Sequence, residues 1–421
     1  MKSILVKIYK HSIFSIIIKM KTKEGYEKAL EVIKKNCCVH GFYASYIKKS
    51  NYKRIWSRDG VLQGLAGIMA EDKKIIQTLR RNLETLKKYQ DETGRIASNV
   101  DVEKDDVSYG RLVGKVDASM WYVIGVGQYF KYSKDKKFLK EFFKSVEKTI
   151  NYLKCVELNG KGFLYIPNGG DWADEYITHG YVLFDQLLYY QALKEYLNML
   201  KKLNLSYPKI DKKIKNLKEM IEVNYFPSKN KKNKKAVYNK GLYEKILNGF
   251  DEEFALMYFS SDGFAPYLDS FANSILLITD IPSKNERKSI IGELNKRLNS
   301  QKMKVLPAFW PPITSFHHFW RNLKMNSLFK FENKPYHYHN GGLWPLIQGF
   351  FIASLVKQGK KKMAEKYLKE FSEAIQKDNY EFHEYFNGKN YNPGGIKNSG
   401  FSAAGYIIGY ASVIKNKTIF N

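Results

Sequence analysis

Cysteine is scarce in this chain. Three occur among 421 residues, Cys37, Cys38 and Cys155, and two of them are adjacent. An odd number at that spacing builds no disulfide framework, and no Cys-x-x-Cys pair is present for redox exchange. A reducing, cytoplasmic setting is the expectation. Long apolar runs are also missing. The longest near the start, Ile13 to Ile18, is too short to span a bilayer and Lys19 closes it. No small-residue cleavage pattern follows, so neither a membrane span nor a secretory leader is expected.

Acidic residues are outnumbered. Asp and Glu total 42 against 70 Lys and Arg, a formal net charge of +28. Such a charge suits a nucleic-acid partner only where it is concentrated or carried by a recognition motif. Here the lysines are scattered along stretches of helical spacing. The one dense run, Lys229 to Lys235, follows Phe226-Pro227-Ser228 and reads as an exposed loop. No zinc-ligand spacing occurs. We expect a solvated basic surface, no nucleic-acid partner, no metal and no cofactor. His317-His318 offers no exception, because adjacent histidines point apart and no carboxylate stands at ligand spacing.

What is present is helix and aromatic mass. The chain is 44% apolar and 15% aromatic, enough for a sizeable core. Asp72 to Tyr89 carries Ile76, Leu79, Leu83 and Leu86 at spacings of three and four, an amphipathic helix. Similar periodicity covers Tyr26–Lys35, Ser119–Tyr132, Lys136–Cys155, Leu183–Leu200, Ile210–Val223, Arg287–Leu298, Gly341–Leu355, Lys360–Ile375 and Phe401–Ile414. A short strand is expected at Phe163–Ile166, and the polar stretch Tyr225–Glu252 reads as an insertion. The helices fall mostly in pairs, with no composition shift to mark a linker. We therefore expect an all-α protein: residues 1–22 an appendage, residues 23–421 one toroid of helical hairpins. A solenoid of helix pairs is the alternative.

Carboxylates beside aromatics recur where helices begin: Trp56 with Asp59, Asp117 with Trp121, Asp171-Trp172 with Asp174-Glu175, and Glu384 beside Tyr385. Asp before a helix is an ordinary cap, and Asp117 is placed to be one. Yet a toroid gathers alternate junctions on one face. Glycoside hydrolysis needs such a gathering, one carboxyl to protonate the departing oxygen and a second to activate water or attack.

Val116-Asp117-Ala118-Ser119-Met120-Trp121 resembles a motif of the amylo-α-1,6-glucosidase domains of glycogen debranching enzymes and of the neutral/alkaline invertases. Trp56-Ser57-Arg58-Asp59 resembles their Trp-x-Arg-Asp, shared with glucoamylases. Asp171-Trp172-Ala173-Asp174 is similar to the Asn/Asp-Trp-Met-Asp of debranching enzymes. His339-Asn340-Gly341-Gly342-Leu343-Trp344-Pro345 is close to an invertase motif, and Glu384-Tyr385-Phe386-Asn387-Gly388 resembles the segment bearing the second carboxylate. Phe184 and Phe401 depart from the pattern, standing where relatives have Glu and Trp. The resemblance implies an (α/α)6 six-hairpin fold and hydrolysis with inversion. Asp117 is implied as the acid and Glu384 as the base, with carboxyls ~6.5–9.5 Å apart. Asp174 or Glu175 is the rival acid, because glucoamylase-like relatives place theirs in that loop. Trp56, Arg58, Asp59, Trp121, Asp171, Trp172, His339, Asn340 and Trp344 are implied at the sugar. The substrate is an α-glucoside or oligosaccharide, or sucrose; a non-catalytic carbohydrate-binding relative is the other class.

Overall fold

The computed structural model describes residues 20–47, 50–228 and 234–420. Most of the expected appendage, and part of the lysine run, lie outside these residues. Residues 20–22 open a helix, α1, that continues to residue 36. The helices then follow as α2 Ser57–Ala70, α3 Lys73–Lys88, α4 Val116–Ser133, α5 Lys136–Val156, α6 Leu183–Lys202 and α7 Pro208–Asn224. After α8 Lys240–Gly249 come α9 Ser270–Ile278, α10 Lys284–Ser300, α11 Trp320–Met325, α12 Pro345–Lys357, α13 Lys361–Lys377 and α14 Gly400–Ile414.

Two kinds of helix alternate. α3, α5 and α13 each carry one apolar stripe and a lysine-rich outer face. α4, α6, α12 and α14 are buried nearly all round. A helix apolar on every side needs neighbours on every side. The inner helices supply them for one another: α2 packs on α4, α4 on α6, α6 on α9, α9 on α12, α12 on α14, and α14 back on α2. That contact closes the ring and excludes the solenoid. The outer helices pair with this ring to complete an (α/α)6 toroid. The closest approach is between α12 and α14, where a Cβ on Gly349 would lie 1.9 Å from the Gly405 carbonyl oxygen.

The inner-to-outer connections are tight, as at Glu71–Asp72 and Lys134–Asp135, while the outer-to-inner ones are long. Short strands line the long ones just before inner helices. Ile55–Trp56 pairs antiparallel with Asn99–Asp101, which pairs with Asp106–Ser108. Tyr181–Val182 and Leu268–Asp269 stand in the same position before α6 and α9. All the long loops therefore meet at one end of the ring. Three expectations change locally. The helix expected from Gly341 begins at Pro345, since Gly341 takes φ +88° and proline suits a first helical position. Phe163–Ile166 makes only an isolated bridge, Ile166 to Gly180. The polar insertion contains α8. No helix among the described residues is long and apolar enough to cross a membrane.

Candidate active site

Every expected site residue lies on that loop-bearing end or in the first turns of an inner helix, yet the residues separate into two depths. α4 starts earlier than its periodicity suggested. Lys115 is the N-cap and Asp117 is the second helical residue, making no cap. Its carboxylate instead accepts from Arg58 Nη1 at 2.7 Å, and only 1% of it is exposed. Against the pull of burial, the carboxylates of Asp117, Asp59 and Asp174 hold the Arg58 guanidinium protonated. Burial pushes Asp59 up, with Arg58 opposing.

A cavity of about 420 Å³ opens among the loops at this end of the ring. Its walls include Tyr52, Asp174, Tyr338 and Glu384, and Asp117 is not among them. Asp174 receives a salt bridge from Lys115 Nζ at 2.6 Å and keeps 38% of its side chain exposed. Burial pushes it up, but Lys115 and Arg58 overcome this and hold it well below the usual carboxylate range. Lys115 is itself anchored by two carbonyl oxygens, Gly169 at 2.8 Å and Asp171 at 2.6 Å. Glu384 is pushed up to about 7, first by burial and then by the Asp59 charge, while a hydrogen bond from Tyr52 at 3.2 Å opposes the rise. Behind it, Gly395 takes φ +72°, and a Cβ there would lie 2.3 Å from Glu384 Oε2. Only glycine leaves room for this carboxylate.

Glu175 is occupied elsewhere. One oxygen accepts from Arg111 at 2.6 Å and the other from Ser327 Oγ at 3.3 Å. Most of the expected sugar contacts are core. Asp171 is fully buried, accepts from Ala173 N and Thr178 Oγ1, and is pushed up to about 7 by burial. Trp172 sits among Phe184, Phe271, Phe309 and Trp344. Trp121 is fully buried. His339 stacks on Trp344 at 4.9 Å, and burial lowers it to about 3, so the ring is neutral. Asn340 spends its amide on Ile313 and Asn333. Trp56 donates to the Asn51 carbonyl and is partly exposed. These side chains shape the loops that carry the cavity; aromatic character alone does not separate a sugar platform from core.

Tyr52, Lys115, Tyr338, Phe329 and Arg111 reach the cavities without having been singled out. Lys115 had the one usable signal, standing two residues before Asp117. The His317 and His318 rings lie 4.3 Å apart and tilted at 33°, and His317 bonds to Tyr267. Asp378, Glu381 and His383 bring potential ligand atoms within 4.8 Å, but both Asp378 oxygens accept from His383 and Lys397 sits on Glu381.

A model of the alkaline and neutral invertase family matches residues 26–252 and 267–412. "Probable alkaline/neutral invertase A, chloroplastic" of Arabidopsis thaliana is 22% identical over 405 residues, covering 81% of this chain. This chain spans 61% of that relative's length. Among solved structures, the glucoamylase of Saccharomycopsis fibuligera superposes with a TM-score of 0.65 at 10% identity, covering 96% of both chains. A mannosylglycerate hydrolase of Thermus thermophilus superposes at 0.63 with 12% identity, over 91% of this chain and 99% of its own. At such identities the structural likeness is one of fold.

Proposed function

This chain belongs to the alkaline and neutral invertase family of glycoside hydrolases, and from that premise we propose that it hydrolyses an α-glucoside, with sucrose the first candidate, by inversion. Asp117 is the acid and Glu384 the base in this reading. The observation that carries it is the Glu384 carboxyl, raised to about 7 at an open cavity, while Asp117, with Oδ2 on Arg58, keeps a buried Oδ1 that has no partner among the described residues.

The chemistry follows from the environments. Asp117 donates a proton to the glycosidic oxygen as the bond to the anomeric carbon breaks. Glu384 takes a proton from the water that attacks that carbon from the opposite face. A carboxylate near 7 is strong enough to accept a proton and still substantially ionised at neutral pH, which is where a base is most useful. Asp174, held ionised by Lys115 and Arg58, faces the cavity as an acceptor for a sugar hydroxyl. Arg58 and Asp59 are the ligands of sugar hydroxyls in this reading, and Arg58 also orients the Asp117 carboxyl. The free thiols of Cys37, Cys38 and Cys155 support a reducing, cytoplasmic setting. The catalytic unit in this reading is the single toroid from residue 23 onward.

The test uses the full chain on sucrose, maltose and isomaltose, with the anomer of the first-formed sugar read by NMR. Inverted product in the wild type, and its loss in Asp117→Asn and Glu384→Gln, is the expected result. Undiminished hydrolysis in both variants would sink the assignment.

A further inference from the structure

The inner helices follow one another as α2, α4, α6, α9, α12 and α14 before closing on α2, so α4 and α12 face each other across the ring. Packed helices lie about 8–10 Å apart, which leaves opposite members of a six-helix ring about twice that distance apart. The bore between them has to be filled by side chains or by another segment. At the level of Trp121 another segment enters it. The Phe420 ring lies 6.3 Å from the centre of Trp121 on α4 and 6.3 Å from that of Phe350 on α12. A residue that touches two opposite helices stands on the axis of the ring.

Phe420 arrives from the end opposite the cavity. After α14 the chain is pinned beside the last residues of α2. Lys415 Nζ donates to the Ala70 carbonyl at 2.9 Å, and Lys417 pairs with Glu71 at 2.8 Å. Ile419 is then buried, and Phe420 takes φ +65°, a left-handed conformation that a bulky residue keeps only where its surroundings hold it. Trp121 links this wedge to the site. It stands four residues after Asp117, so the two share one face of α4. Side chains on a helix lean toward its N-terminus, which carries the Trp121 ring over the turn that Asp117 begins. Trp121 is fully buried, and its Nε1 has no partner among the described residues. Packing alone fixes the indole, and among the described residues its one ring contact is Phe420.

We propose that Phe420 is a positioning residue for the acid: wedged on the ring axis, it holds the Trp121 indole beneath Asp117 and so fixes where that carboxyl stands. The inference rests on the reading of Asp117 as the acid. Arg58 holds the carboxyl through Oδ2, while Oδ1 has no polar partner among the described residues. The remaining constraint is apolar and comes from below, through Trp121. Without the Phe420 ring the indole is free to move into the emptied bore, and Asp117 loses its backing. A displacement of about 1 Å at a reacting group is enough to cost up to ~100-fold in rate. A substrate that needs no proton from Asp117 does not feel that displacement.

The test compares Phe420→Ala, Phe420→Leu and Asp117→Asn with wild type on two substrates. One is the disaccharide that wild type cleaves fastest among sucrose, maltose and isomaltose; the other is an aryl glucoside with an acidic phenol. Phe420→Ala is expected to lower kcat on the disaccharide ~10–100-fold with KM within about 3-fold of wild type, and to keep the aryl glucoside rate within about 3-fold. Phe420→Leu refills the space and should recover most of the loss. In the Asp117→Asn background Phe420→Ala should cost nothing further on the disaccharide, because it acts through Asp117. Unchanged disaccharide turnover in Phe420→Ala, equal losses on both substrates, or additive losses in the double variant would overturn the wedge. Disaccharide turnover retained in Asp117→Asn, where Phe420 is intact, would instead overturn the acid reading. A crystal structure of Phe420→Ala, or of Phe420→Leu if the first does not fold, reads the geometry without turnover. A shifted indole and Asp117 carboxyl is expected there, and both unmoved would overturn the wedge whatever the kinetics.

Discussion

Arg58 reaches from the first turn of α2 to Asp117 in the first turn of α4, Nη1 to Oδ2 at 2.7 Å, with the acceptor 1% exposed. The guanidinium takes one oxygen and leaves Oδ1 without a partner among the described residues, so the pair fixes the orientation of the carboxyl that the proposed mechanism uses.

The pair predicts how Asp117→Asn behaves. Removing one partner leaves Arg58 short of its strongest counter-charge in a buried site. The expected loss is about 3–5 kcal/mol of stability, seen as a lower denaturation midpoint. Turnover on an oligosaccharide should fall ~10²–10⁴-fold with the loss of the proton donor. Turnover retained in the folded variant would remove the proton-donor role from Asp117.

Leaving-group chemistry separates the acid from the base. An aryl glucoside with an acidic phenol departs without protonation, whereas a sugar alkoxide does not. Asp117→Asn should therefore lose ~10²–10⁴-fold on an oligosaccharide and keep most of its rate on the aryl glucoside. Glu384→Gln should lose both, because water still needs a base. The reverse pattern would exchange the two roles.

The pH profile follows from Glu384. Its folded value near 7 makes activity rise as pH passes upward through about 7, the base being needed ionised. Tyr52 donates to Oε2 and so favours the ionised form. Tyr52→Phe removes that donor, raises the Glu384 value further, and should move the acidic limb of kcat/KM to higher pH by about half a unit to one unit. A limb that stays in place, or moves down, would disconnect Tyr52 from the base.

The ring of hairpins was legible because burial writes itself into periodicity. Lys73–Lys88 shows one stripe and Gly400–Ile414 shows none, and those patterns mark outer and inner helices. The identity of the acid was less legible. Asp117 and Asp174 both stand close to a tryptophan. What distinguishes them is a partner supplied by another loop: Arg58 buries one, and Lys115 leaves the other at an open cavity. Glu175 was a candidate acid for the same reason, and only the approach of Arg111 and Ser327 shows it holding loops together. Linear spacing carries no information about which loop arrives from across a ring.

Asp269 tests how the core tolerates its own carboxylates. It caps α9 through Ala272 N at 2.8 Å, its other oxygen has no partner among the described residues, and burial pushes it up to about 7. In the unfolded chain an Asp titrates near about 3.9. A carboxyl raised on folding lends stability that is complete below the unfolded value and is lost as pH climbs from about 4 through about 7. Asp269→Asn keeps a side chain able to cap but cannot ionise. Relative to wild type it should be on the order of 2–4 kcal/mol more stable at pH 8 than at pH 4, measured by urea unfolding at the two values. Asp171, raised to about 7 with the same sign, leaves some pH dependence in the variant. Parallel stability curves for wild type and variant between pH 4 and 8 would mean that Asp269 titrates alike in the folded and unfolded chains.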